Sequence, residues 1–140
     1  MAEEQYLIFK SHGSNSAVSI EFVDRVVHAS AIIENPNRQG RIGFINLAGE
    51  VTPVYDIDTE QIFHHSQEPI KPEQKFIILS SPRLKLILLI DEIIEIDSLE
   101  VNQRSIEEGP YFLSSYRNGM IKVINHNWLF GLQDHELRVF

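Results

Sequence analysis

Val23-Asp24-Arg25-Val26-Val27 and Ile90-Asp91-Glu92-Ile93-Ile94 say nearly the same thing 67 residues apart. The echo continues on both sides. Gln5-Tyr6-Leu7-Ile8-Phe9 is answered by Gln74-Lys75-Phe76-Ile77-Ile78, and Gly43-Phe44-Ile45-Asn46-Leu47 by Gly119-Met120-Ile121-Lys122-Val123. Three echoes in one order predict a duplicated strand-and-turn unit and hence twin small β subdomains. The repeat consists of apolar strand residues rather than catalytic side chains, so what has been copied is scaffold and surface. The copies differ in sign at one place, where Arg25 in the first stands against Glu92 in the second.

At 140 residues with 43% hydrophobic content, the chain can bury a core at the size of one domain or two closely packed subdomains. Cysteine is absent, which removes disulfides, thiolate metal sites and thiol nucleophiles together and suits a reducing compartment. Met1-Ala2-Glu3-Glu4-Gln5 is acidic and polar where a secretory signal needs a basic start and an apolar run. The longest uninterrupted apolar stretch, Leu86 to Ile90, is too short to cross a bilayer. A cytoplasmic protein without direct membrane insertion is therefore expected. The net charge of −8 argues against nucleic acid and anionic membrane as partners, since both are bound chiefly by basic surface. That charge is unevenly shared: residues 1–70 hold four Lys/Arg against ten Asp/Glu, and residues 71–140 hold eight against ten.

Most segments read as short strands. Tyr6-Leu7-Ile8-Phe9 and Ala17-Val18-Ser19-Ile20 flank a polar turn at His12-Gly13-Ser14-Asn15. Val26 to Ile33 is β-branched and apolar, and ends at Asn35-Pro36. Phe44 to Leu47 and Val51 to Ile57 make a second hairpin around Ala48-Gly49, with an edge or bulge expected at Pro53. Asp58 to His64 reads as one or two helical turns, and His65 to Glu73, with two prolines, as the junction between halves. Phe76 to Leu79 then turns at Ser80-Ser81-Pro82-Arg83 into Leu84 to Ile90, apolar enough to be covered on both faces. Residues 97–110 read as a polar excursion, and Met120 to Ile124 is expected to pair with Trp128-Leu129-Phe130 around Asn125-His126-Asn127. Alternation along that last strand puts Trp128 and Phe130 on one face, the core. Many short strands with frequent turns indicate small barrels.

The only cluster with metal-ligand chemistry is His64-His65 beside Asp56, Asp58, Glu60 and Glu68. It is weak. A calcium loop starting at Asp56 would need glycine at its sixth position and glutamate at its twelfth, where Gln61 and Gln67 stand, and no H-E-x-x-H occurs. The glycines never assemble into a phosphate-cradling loop, Gly40-Arg41-Ile42-Gly43 reads as turn geometry, and Ser14 and Ser16 lie in a turn-like context without a nucleophile elbow. Asp56 and Asp91 follow apolar strands and read as caps of following turns. No catalytic residue, cofactor or metal site is expected.

Val23-Asp24-Arg25-Val26, then Gly43-Phe44-Ile45-Asn46-Leu47-Ala48-Gly49, Pro53-Val54-Tyr55-Asp56-Ile57 and Ile90-Asp91-Glu92-Ile93, resemble in order and spacing the CheW-like family of chemotaxis coupling proteins. Its central signature reads roughly G-x-x-N-L-R-G-x-x-x-P-V-x-D-L. The likeness runs from Tyr6 to about Leu137, and the run from Tyr116-Arg117-Asn118-Gly119-Met120 to Leu132 fits the family's final hairpin. The resemblance implies a mainly β, single domain over 1–140 made of two intertwined SH3-like five-stranded barrels with a few short helical turns. The first barrel is expected over 14–66, and the second over 74–137 with the N-terminal strand 5–10. It also implies a non-enzymatic adaptor that couples a chemoreceptor's cytoplasmic tip to the regulatory domain of a chemotaxis histidine kinase. Edge strands of each barrel would offer the sheet-to-sheet contact.

Two departures stand out. The family commonly has arginine before the turn glycine, where this chain has Ala48, and often glutamate where it has Arg25. If those positions face each other as an ion pair, the arginine is lost and the other sign reversed, which alters charge complementarity toward a partner and points to a pathway-specific member. The expected partner-binding residues are Val23, Arg25, Gly43, Phe44, Asn46, Ala48, Gly49 and Met120. The alternative is a stand-alone small β-barrel that binds a ligand or metal, for which convergent titratable side chains would be the mark.

Overall fold

The computed structural model describes residues 4–35, 40–56, 70–100, 109 and 111–131. These fold mainly as strands: β1 (Glu4–Ser11), β2 (Ser14–Ser19), β3 (Val23–His28), β4 (Ile33–Glu34), β5 (Arg41–Leu47), β6 (Glu50–Asp56), β7 (Lys75–Ser80), β8 (Lys85–Ile90), β9 (Glu92–Leu99), β10 (Tyr111–Tyr116) and β11 (Gly119–Ile124). One sheet has the order β10-β11-β2-β1-β9 and the other β3-β7-β8-β6-β5-β4. All pairings are antiparallel except β11 with β2 and β6 with β8.

Apart from the two-residue β4, the sheets have one design. Read from their β10 and β5 ends, β10-β11-β2-β1-β9 matches β5-β6-β8-β7-β3, and in each the parallel pair occupies the same place. Burial confirms the match residue by residue. Leu7 and Phe9 of β1 face a central core between the sheets, as do Ile77 and Leu79 of β7. Tyr6 and Ile8 face the five-stranded sheet's own core, as Phe76 and Ile78 face that of the six-stranded sheet. Continuous apolar runs are needed because β1, β7 and β8 are covered on both faces. Each fully buried Leu, Ile or Phe contributes about 1.5–3 kcal/mol by removal from water, so the central core holds the sheets together.

The sheets are intertwined by exchange of hairpins. β1 and β2, from the first half, pair with β9 and β11, while β7 and β8, from the second, pair with β3 and β6. The sheets therefore do not follow the division into 14–66 and 74–137 with 5–10. A strand's partner is set by which sheet buries its second apolar face, and chain order does not report this. Neither sheet closes through a ladder among the described residues, but the ends of the five-stranded one approach, with Ser114 Oγ donating to the Glu100 carbonyl at 2.7 Å.

The duplication is real in the strand order, but all three echoes shift, Val23 answering Ile93 rather than Ile90. β1 matches β7 with Tyr6 on Phe76, one residue from the expected frame, because a one-residue slip would turn every side chain to the wrong face. β5 matches β10, whereas β11 matches β6, so Gly43–Leu47 answers residues 112–116 rather than Gly119–Val123.

Three hairpins turn on two residues with positive φ: His12-Gly13, Ala48-Gly49 and Arg117-Asn118. This mirror-image turn geometry matches the twist of the flanking strands. Beyond β11 the chain is helical at residues 126–131, not a strand. Asn125 starts this turn: its side-chain oxygen accepts from Trp128 N at 3.4 Å and its carbonyl from Leu129 N at 3.0 Å. β11 pairs instead with β10, and Leu129 and Phe130, not Trp128 with Phe130, enter the central core. The expected strand at 26–33 breaks after His28, where the chain crosses to β4 on the opposite edge. Pro53 lies within an interior strand, one residue before the ladder to β8 begins at Val54. The expected helical turns at 58–64 and the junction from His65 to Pro69 lie outside the described residues, as do residues 101–108.

Candidate partner-binding surface

The expected binding residues fall into two groups. Val23, Arg25, Gly43, Phe44, Asn46, Ala48 and Gly49 belong to β3 and the β5–β6 hairpin of the six-stranded sheet, whereas Met120 lies on β11 of the other. Two serve the fold. Val23 packs against the central core. A Cβ on Gly43 would lie 2.2 Å from the Ile33 carbonyl oxygen, so glycine is what lets β4 approach β5. Asn46 braces the turn by accepting from Gly49 N at 2.8 Å. Arg25, Ala48 and Gly49 are exposed, and Phe44 is half-buried with the Arg41 guanidinium 4.7 Å from its ring centre.

Met120 and Val51 occupy equivalent places, since Met120 pairs with Ser115 and Val51 with Asn46, each one step from its turn. They are 63% and 71% exposed and put one apolar side chain at the matching place of each hairpin.

The edge strands carry the sharper contrast. β3 and β9 each have a bulge at the same point: Arg25 pairs with Ile78 and Val23 with Leu79, as Glu95 pairs with Ile8 and Ile93 with Phe9. Asp24 and Ile94 are the extra residues. Arg25 is thus the counterpart of Glu95, not of Glu92. By the same register Leu47 and Ala48 answer Tyr116 and Arg117.

In the five-stranded sheet these positions close a corner. Arg117 Nη2 lies 2.6 Å from Glu95 Oε2, and the Tyr116 hydroxyl donates to the same carboxylate oxygen. Burial, then that hydrogen bond, pushes the Tyr116 hydroxyl above its ordinary pKa. With Arg117 66% and Glu95 30% exposed, the ion pair contributes at most about 1 kcal/mol and chiefly fixes the turn to the edge strand. In the six-stranded sheet, Leu47 and Ala48 have no group to offer, and among the described residues Arg25 makes no ion pair or side-chain hydrogen bond.

Arg117-Asn118 before Gly119 is a turn signal in the sequence, but nothing local in it ties that turn to Glu95. A second long-range tie links the two sheets. His12, at the β1–β2 turn, places Nε2 2.6 Å from the buried Asp56 Oδ1 at the end of β6. Its backbone N donates to Asp91 Oδ2 at 3.1 Å, and Gln74 Nε2 donates to Asp91 Oδ1 at 3.4 Å. Asp56 and Asp91 therefore join distant segments; Asp91 does so instead of capping the turn that follows it, and the turn expected after Asp56 lies outside the described residues.

No group of three or more His, Cys, Asp or Glu is placed to hold a metal among the described residues, and His64-His65 lie outside them. No helix of the described residues is long and apolar enough to cross a membrane.

A family model of the CheW-like domain matches residues 5–126. The chain belongs to the CheW-like family. The CheW-like chain also shares its fold with the scaffolding protein TtCheW from Thermoanaerobacter tengcongensis, whose crystal structure superposes with a TM-score of 0.66. The two are 20% identical over 89% of this chain and 85% of that one. No curated protein sequence matches the chain.

Proposed function

We propose that this CheW-like protein is a non-catalytic scaffold of a chemotaxis-type signalling system. It acts in the cytoplasm and couples a chemoreceptor tip to a histidine kinase regulatory domain by binding both. The observation that carries this reading is membership of the CheW-like family over residues 5–126, on a fold whose exposed apolar side chains lie beside hairpin turns, at Val51 and Met120, and along outer strands, at Ile94, Ile96 and Leu113. Coupling of this kind needs two binding surfaces and no reacting group, and the twin sheets present two related surfaces for it.

Binding of the purified protein to the kinase regulatory domain and to a receptor cytoplasmic fragment from the same genome tests the proposal. A ternary complex of the three, in which the protein is needed for receptor fragment and kinase domain to co-sediment, is expected. No binding to either would overturn it.

A further inference from the structure

The two matching corners differ in what they leave to bind. Around Glu95 the hairpin supplies both a hydroxyl and a guanidinium, so the carboxylate is satisfied within the chain. At the same backbone position of the six-stranded sheet the charge is reversed, and the hairpin end is apolar. Arg25 is one of only four Lys/Arg among residues 1–70, and its exposed neighbour Asp24 makes no ion pair with it among the described residues. A guanidinium presents five N–H donors in a fixed fork suited to carboxylate, and here no carboxylate of the described chain fills it. The bulge at Asp24 interrupts the β3 ladder beside it, as bulges beside functional sites do to aim a side chain.

We infer that Arg25, exposed at the edge-strand position that Glu95 holds in the other sheet, receives a glutamate or aspartate of a protein partner. The inference rests on the scaffold reading and names the chemistry of its contact. The partner's acid takes the part toward Arg25 that Glu95 takes toward Arg117 within the chain. Such a contact chooses partners as much as it binds them, because a partner with a basic residue at that place meets like charge.

The experiment measures binding of the full chain to the kinase regulatory domain and receptor fragment, for the natural protein, Arg25→Gln, Arg25→Glu, and Arg25→Glu with Ala48→Arg. Arg25→Glu is expected to weaken binding to one of the two partners by about tenfold or more, and Arg25→Gln by less. Natural binding should weaken as salt rises. The double variant rebuilds the internal pair of the other corner, so it should melt no lower than the natural protein yet stay weak in binding. Reversing the partner's acid to lysine should restore binding to Arg25→Glu. If the natural protein binds and Arg25→Glu binds both partners equally well, this inference fails while the scaffold reading stands. If the natural protein binds neither, both fall.

Discussion

The five-stranded and six-stranded sheets share a strand order, a parallel junction, a bulged edge strand and a two-residue hairpin turn, yet they solve the same corner in opposite ways. One ties its hairpin to its edge through Glu95, Tyr116 and Arg117; at the equivalent positions of the other, Arg25, Leu47 and Ala48 make no such tie among the described residues. They also fill the space beneath that hairpin differently. Phe112 fills it in one, while the equivalent Gly43 leaves room for the extra strand β4 in the other. Backbone architecture was thus kept through duplication while side chains diverged where they touch solvent or an added strand. A duplicated scaffold can in this way present two unlike surfaces.

The largest effect should come from removing the filler. Phe112→Ala is expected to lower stability by about 3–5 kcal/mol in denaturant unfolding, from lost transfer energy and the cavity left behind. Gly43→Ala should cost less, about 1–3 kcal/mol, because its Cβ meets a carbonyl that belongs to the short strand β4. Equal effects would show that the two hairpins are not built on different supports.

Ser16 and Leu86 are another unequal pair, both buried toward the central core. Among the described residues the Ser16 hydroxyl has no hydrogen-bond partner, and Ser16→Ala is expected to raise stability by about 1 kcal/mol. Ala48 holds φ at 51°, which a Cβ disfavours and asparagine tolerates. Ala48→Asn should raise stability by about 0.5–1 kcal/mol, measured as a higher melting temperature. A double-mutant cycle on Glu95→Ala and Arg117→Ala should give a coupling of about 0.2–1 kcal/mol that fades with salt.

The smallest effect is one of pH. His126 stacks on Phe22 at 4.0 Å between ring centres, and burial lowers its pKa against the opposing pull of Glu21 and Glu4. The unfolded chain therefore takes up this proton first, and stability falls as pH drops below about 6.5 toward the lower folded value. His126→Gln should flatten that part of the stability profile. An unchanged profile would assign the acid dependence elsewhere.

The apolar strand residues, the turn pairs at His12-Gly13 and Ala48-Gly49, and the ordered echoes were enough to read a duplicated, mainly β chain of the CheW-like kind. Strand periodicity and turn chemistry are local, and they survive in the order of residues. Which hairpin joins which sheet was not legible, because β1 and β7 are apolar on both faces and could pair either way. The helical residues 126–131 escaped for a related reason: a short apolar run suits strand or helix, and the Asn125 cap together with Leu129 and Phe130 in the central core settled it. Arg25 was legible as a departure from its family, but its counterpart was not. Glu92 looked equivalent in the linear pattern, and only the paired bulges of β3 and β9 assign Glu95. Sequence by itself determined most of the strands and turns and the family, but not β10 or the helical residues 126–131; tertiary pairing alone decided which charges share a corner, because register is set by the face each strand must bury.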